Sequence, residues 1–409
     1  MASNLSWLDH DAAAAQRSLR ILSFFDEREA RDELGIGGIR DSIADQLFPG
    51  TSTIQTRLRY VFFVPWLFDQ LEARSTAAVA FPGAARAAEV RLLKALLENT
   101  SPDEPGVIGR EAGGELKRFP SSVYWAALGS WGMRRARMSL QQYFALADRR
   151  HALRRAQRKR DDNEVHDGDP GGRAWDSQLV KLRPEEFPAG ASLELTREEA
   201  GFLLDRWRRQ HPGSLLTWLA LDLAQGGEMP EADNIWDHPR MPAFPPEIQV
   251  LIDDARRFNV LMHGAALLYN LQLAELERRH VGDVDLAAHY CAQLDAWAER
   301  ELPACGAWDL EAFWKRVLGK GHAITESTRE FVRTWLTLAL REQTQIAESR
   351  ACRELIEVRE RKLKDKRSRF VNTAARAQWG GHAGLAPLGY RWPVASDFLR
   401  EWHAGWRSA

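Results

Sequence analysis

The sequence has 409 residues, with 56 Lys and Arg against 57 Asp and Glu, and 44% of it is hydrophobic. That length accommodates two or three domains with real cores, and the composition excludes a disordered chain. Charges that cancel exclude wholesale wrapping of nucleic acid, so any electrostatic footprint has to be local.

The first predicted helix spans 11–33, with Leu19, Leu22 and Phe25 on one face and Gly35 as its stop. A second runs from about Ile39 to Leu47, and a third from about Ser52 to Glu72 with Pro65 inside it. A fourth covers 85–98, with Val90, Leu93 and Leu97 directed inward. An aromatic segment, Val123 to Trp131, precedes a long arginine-rich helix from about Ser139 to Arg160. The run 161–175 is rich in Asp and Gly, lacks apolar periodicity and reads as a linker. Beyond it, Thr196-Arg197-Glu198-Glu199 is a capping box that opens a helix to about Gln210. Ser214–Ala224 gives another. Apolar periodicity then continues through Pro246–Glu277, 286–302, 308–318 and 325–366, with Ser327 and Glu330 as a second capping box. Only Leu179–Leu182 and Ser192–Leu195 read as extended. The expected fold is all-α with at most a minor β element. Its two lobes are 1–160 and 176–409, joined by the 161–175 linker.

Cys291, Cys305 and Cys352 are too few for a disulfide framework or a zinc cage. The start of the chain lacks the pattern of a signal peptide, and no apolar run approaches the roughly 20 residues that span a bilayer. A cytoplasmic location without a membrane partner is expected. Sixteen tryptophans point to well-packed cores more than to a ligand site.

Several stretches resemble an uncharacterised bacterial domain-of-unknown-function family. They include Trp7-Leu8-Asp9, Asp32-Glu33-Leu34-Gly35-Ile36-Gly37 and Ile39-Arg40-Asp41. The most specific is Phe48-Pro49-Gly50-Thr51-Ser52-Thr53-Ile54-Gln55-Thr56-Arg57, followed by Arg59-Tyr60. Pro120-Ser121-Ser122-Val123-Tyr124-Trp125, Leu268-Tyr269-Asn270 and Tyr390-Arg391-Trp392-Pro393 extend the likeness along the chain. The resemblance brings no activity. It implies a setting beside helicase and phospholipase-D-like genes in bacterial phage-defence islands.

Within Ile39–Tyr60, Gly50 sits between two predicted helices as in a helix-turn-helix. Ile54, Leu58 and Val61 form the inward stripe of the second, which leaves Thr53, Gln55, Thr56, Arg57, Arg59 and Tyr60 to meet bases and phosphates. The plainer alternative is that Thr51 or Ser52 caps a helix and Arg57 pairs with Asp41 or Asp45. Residues 134–160 carry ten cations against one acid, Asp148. Arg149, Arg150, Arg154, Arg155, Arg158 and Lys159 are the phosphate-binding candidates there, with Tyr143 and Phe144 offering stacking unless they pack inward. The alternative is that acids of the chain, including Asp161, Asp162 and Glu164 just after, answer these cations. A weaker basic stretch runs from Arg359 to Arg369.

Asp103, Glu115 and Lys117 match a loose metal-nuclease pattern, but in a region that does not read as paired strands. Asp41 and Asp45, four apart, read as arginine or dipole partners before metal ligands. His166-Asp167-Gly168-Asp169 reads as a turn, His263 and Asn270 as satisfied core polar groups. Gly35-Ile36-Gly37-Gly38 lacks the strand and the lysine of a nucleotide loop. The expectation is an accessory antiviral-defence protein rather than an enzyme, with no cofactor. Its partners would be nucleic acid, expected to be DNA, and a helicase or nuclease of the same operon. The alternatives are a protein–protein adaptor that binds no nucleic acid and a metal-dependent nuclease.

Overall fold

The computed structural model describes residues 32–161, 174–278, 280–281 and 284–408; of 157–161, 280–281 and 284 the backbone alone is described. Most of the helix expected over 11–33, most of the 161–175 linker and the whole 166–169 turn lie outside the described residues. Within them the protein is all-α: sixteen α-helices, short 3-10 turns and one two-residue antiparallel ladder. Two compact units share the chain. One is formed by Met1–Ala44 with Pro245–Tyr390, the other by Asp45–Phe244 with Arg391–Ala409. The division falls inside helix α1 (Gly37–Leu47).

In the second unit, α2 (Tyr60–Ala73) is apolar on nearly every side and is the buried centre. Against it pack α3 (Phe81–Asn99), α4 (Pro120–Ser130) and α7 (Ser177–Lys181). The arginine-rich region is two helices, α5 (Leu140–Ala145) and α6 (Ala147–Asp161), broken at Leu146. Ser139 and Gln142 close a capping box at the start of α5. Of the predicted inward residues of α3, Leu93 is buried, Val90 half-buried and Leu97 exposed; Ala85, Ala88, Leu92 and Leu96 complete the buried face. Leu179–Leu182 is not extended but falls largely within α7, which Asp176 caps.

The Thr196–Glu199 capping box does open α8 (Arg197–Gln210), which packs with α9 (Leu215–Ala224) and α16 (Trp392–Arg407). Trp131, Trp207 and Trp402 meet there, the first pair edge to face at 5.5 Å. Trp175, the last residue of the expected linker, lies in one aromatic cluster with Trp125 and Tyr143, which precede it, and Asp45–Phe244 falls in one unit. The chain on both sides of 161–175 therefore belongs to the same unit, and the units do not follow the linear division at that segment.

The first unit is built on α10 (Pro246–Glu277). Pro246 suits its first position and Arg278, left-handed at φ 47°, ends it. Against it lie α11 (Leu286–Arg300) and α14 (Arg350–Lys364). Gly264 makes one approach possible, since a Cβ there would stand 2.3 Å from the Trp297 ring. Trp297 stacks on Trp335 of α13 (Glu326–Glu342) at 6.3 Å, and their indole nitrogens donate to the Val260 and Leu261 carbonyls. Helices α12 (Leu310–Val317) and α15 (Thr373–Ala377) and the ladder of β1 (His280–Val281) with β2 (Val284–Asp285) complete it. Thr325, not Ser327, caps α13, and the run expected over 325–366 breaks at Gln343.

Among the described residues nine tryptophans are fully buried, so the unusual tryptophan content reports cores. No described helix is long and apolar enough to cross a membrane.

Candidate nucleic-acid interface

The helix-turn-helix reading required residues 52–59 to be helical, and they are not; α2 starts at Tyr60. The amides that would have formed the earlier turns are held by side chains from elsewhere. Tyr124 Oη accepts from Thr56 N at 2.9 Å and Arg57 N at 3.0 Å, and donates to the Arg57 carbonyl at 2.7 Å. Glu401 accepts from Leu58 N at 2.7 Å. Gln55 is buried and folds back, accepting from Ser52 N and donating to the Gly50 carbonyl. Thr56 Oγ1 donates to the Gly106 carbonyl. Of the five candidates in this loop, Thr53 alone is exposed.

Both loop arginines are engaged. Arg57 pairs with Glu104, and its Nε lies 2.7 Å from Glu401. Arg59, buried, lies 2.8 Å from Glu199 and donates to the carbonyl and hydroxyl of Ser192. Burial raises the Glu199 carboxyl, which the adjacent guanidinium opposes. Neither Asp41 nor Asp45 takes Arg57; Asp45 is bound by Arg391. The motif is a rigid loop, pinned also by Trp131, whose Nε1 donates to the Pro49 carbonyl at 2.8 Å.

Helix α6 divides its arginines. Arg150 is buried: its Nε lies 3.1 Å from Glu72, its Nη1 donates to the Tyr143 carbonyl, and its guanidinium lies over the Tyr143 ring. Arg154 reaches the other oxygen of the same carboxylate. Tyr143 donates to Glu72 at 2.6 Å and accepts from Trp175 Nε1. Tyr143 is thus a core residue and offers no stacking surface. Desolvation lowers Arg150, and burial followed by the charge of Arg150 lowers His151. Arg149 and Arg155 are exposed. The side chains of Arg158 and Lys159 lie outside the described residues.

The second basic stretch is divided: Arg361, Lys362, Lys366 and Arg367 are exposed, while its other cations are engaged within the unit. Arg359 is buried and donates to the carbonyls of Leu34 and Gly35 and to Thr328 Oγ1. Lys364 and Arg369 converge on Glu33. The glycine segment before α1 is likewise structural, since Ile36 N and Gly37 N donate to Asp32.

Asp103, Glu115 and Lys117 are all exposed, and Glu115 ends a single 3-10 turn. Among the described residues no group of three or more His, Cys, Asp or Glu is placed to hold a metal ion. Asn270 is a satisfied core amide, donating to the Ala266 and Ala383 carbonyls and accepting from Trp379. Sequence reasoning gave Glu72, Glu401 and Tyr124 no structural role and Glu199 only that of a cap. Glu72 did carry a signal: a carboxylate in a largely apolar helix, once buried, needs a cation or donor.

The chain matches the Family of unknown function (DUF6361) over residues 2–405 and belongs to that family. Neither a curated protein nor a solved structure matches it.

Proposed function

Within that family, we propose that this protein is a helical docking subunit, an adaptor for another protein rather than a clamp on nucleic acid. One observation supports the reading: Arg57, Arg59, Arg150 and Arg154, four of the cations that phosphates would have needed, each meet a carboxylate of their own unit. Withdrawing a guanidinium from a buried pair leaves an uncompensated carboxylate, at a cost of about 3–5 kcal/mol. A phosphate contact regains little of that. The partner to test is the helicase or nuclease of the defence setting that the motif resemblance implies.

The test is co-expression with such a partner, alongside DNA binding at about 0.15 M salt, where exposed charges are strongly screened. A complex that survives purification and no DNA binding are expected. Tight DNA binding by the isolated protein would overturn the reading.

DNA association remains a second reading, favoured by the exposure of Arg149 and Arg155 and by one Glu72 carboxylate facing two guanidiniums. Two phosphate contacts would give a log–log salt slope of about −2, and eight or more a slope of about −7 or steeper.

A further inference from the structure

Helix α6 is turned inside out. Its arginines Arg150 and Arg154 face Glu72, while Ala152, Leu153 and Ala156 are exposed, Leu153 to 47%. Arg149, Ala152, Leu153 and Ala156 recur at i, i+3, i+4 and i+7, so they form one stripe, with Arg155 at its edge. An isolated exposed leucine means little. Here it lies on an apolar stripe of a helix that had two arginines to expose in its place. Val79, 93% exposed, sits in a loop tied to the start of the same helix by a 3.0 Å bond from Ala78 N to Asp148.

The first unit carries a groove whose walls combine apolar side chains with four glutamates and three arginines. Between the end of α10 and α14 runs an open groove of about 650 Å³. Leu276 and Val358, each 52% exposed, and Phe370 line it. Two of its ion pairs are internal, Glu275 with Arg353 and Glu357 with Arg361. Glu348 and Glu354 are exposed at its edge beside Arg350. Burial first, then the charges of Asp295, Glu275 and Glu348, raise the nearby Cys291 thiol, which Arg353 opposes.

We propose that the outer stripe of α6 in one copy of this protein docks in the α10–α14 groove of a second copy. Leu153 meets Leu276 and Val358, and Arg149 and Arg155 meet Glu348 and Glu354. The two surfaces differ, so the contact is heterologous: each copy offers one of each, and association continues beyond a pair unless it closes into a ring. The proposal goes beyond the docking reading, because it concerns copies of this chain and is read out separately from DNA or partner binding.

Sedimentation velocity of the full-length protein tests it. The average mass is expected to rise with concentration and to fall between about 0.1 M and about 0.5 M salt. One variant combines Arg149→Glu with Arg155→Glu, another Glu348→Arg with Glu354→Arg; each alone is expected to be monomeric, and their mixture to associate again. Leu153→Asp, which leaves those charges in place, is expected to be monomeric as well. All these positions are exposed, and unchanged circular dichroism and Tm confirm folding. A wild-type monomer at every concentration, self-association that survives both charge variants, or a mixture that stays monomeric overturns the proposal.

Discussion

Arg150 lies with its Nε 3.1 Å from Glu72, inside a network that the Tyr143 hydroxyl joins at 2.6 Å. A carboxylate at the end of a largely apolar helix thereby fixes a helix that carries seven cations between Arg149 and Arg160. Glu72→Gln removes the charge but keeps the shape, leaving Arg150 and Arg154 without a carboxylate. A loss of about 3–5 kcal/mol is expected in urea unfolding, as for other broken buried pairs. A change below about 1 kcal/mol would mean that this network does not hold α6.

The Phe48–Arg57 motif owes its form to backbone geometry as well as to side chains. Gly50 has φ 82°, and a Cβ there would stand 2.4 Å from Nε1 of Trp131, which donates to the Pro49 carbonyl. Gly50→Ala combines a left-handed conformation with overpacking and is expected to cost about 1–3 kcal/mol. The fluorescence of Trp131, isolated by comparison with Trp131→Phe, should change with it. An unaltered Tm and spectrum would contradict the tight approach.

Glu89 gives a pH dependence whose sign is fixed. It is buried in α3, accepts from Ser121 N at 2.6 Å and Ser121 Oγ at 3.1 Å, and desolvation pushes it up to about 7 from an ordinary 4.5. Between those values the folded state holds a proton that the unfolded chain has released. Stability therefore falls as pH rises from about 4.5 to about 7 and levels off above. Glu89→Gln removes this penalty, with an expected gain on the order of 1–3 kcal/mol at pH 8 and little change at pH 4. Parallel pH profiles for the two proteins would contradict it.

The helices were legible wherever apolar periodicity was strong and uninterrupted. Pro246–Glu277 coincides with its predicted span, and the Thr196 capping box forms as read. The reading failed where long-range partners override local preference. Residues 52–59 carry helical spacing, yet Tyr124 and Glu401, 68 and 343 residues from the amides they take, capture the backbone first. The arginines of α6 read as phosphate candidates unless acids of the chain answered them, and the carboxylate that answers Arg150 lies 78 residues earlier. Charge runs show up in a sequence; the acids that neutralise them across a fold do not.

The central claim is that the guanidinium groups singled out as a phosphate surface are largely committed within their own fold. The salt dependence of DNA binding by the isolated protein measures that commitment most directly. Binding too weak to detect at about 0.15 M salt is expected, with a log–log slope no steeper than about −2 at lower salt and lost in the Arg149→Glu, Arg155→Glu variant. A slope near −7 or steeper, with binding that persists at about 0.15 M, would show those groups engaged with phosphates and contradict the account.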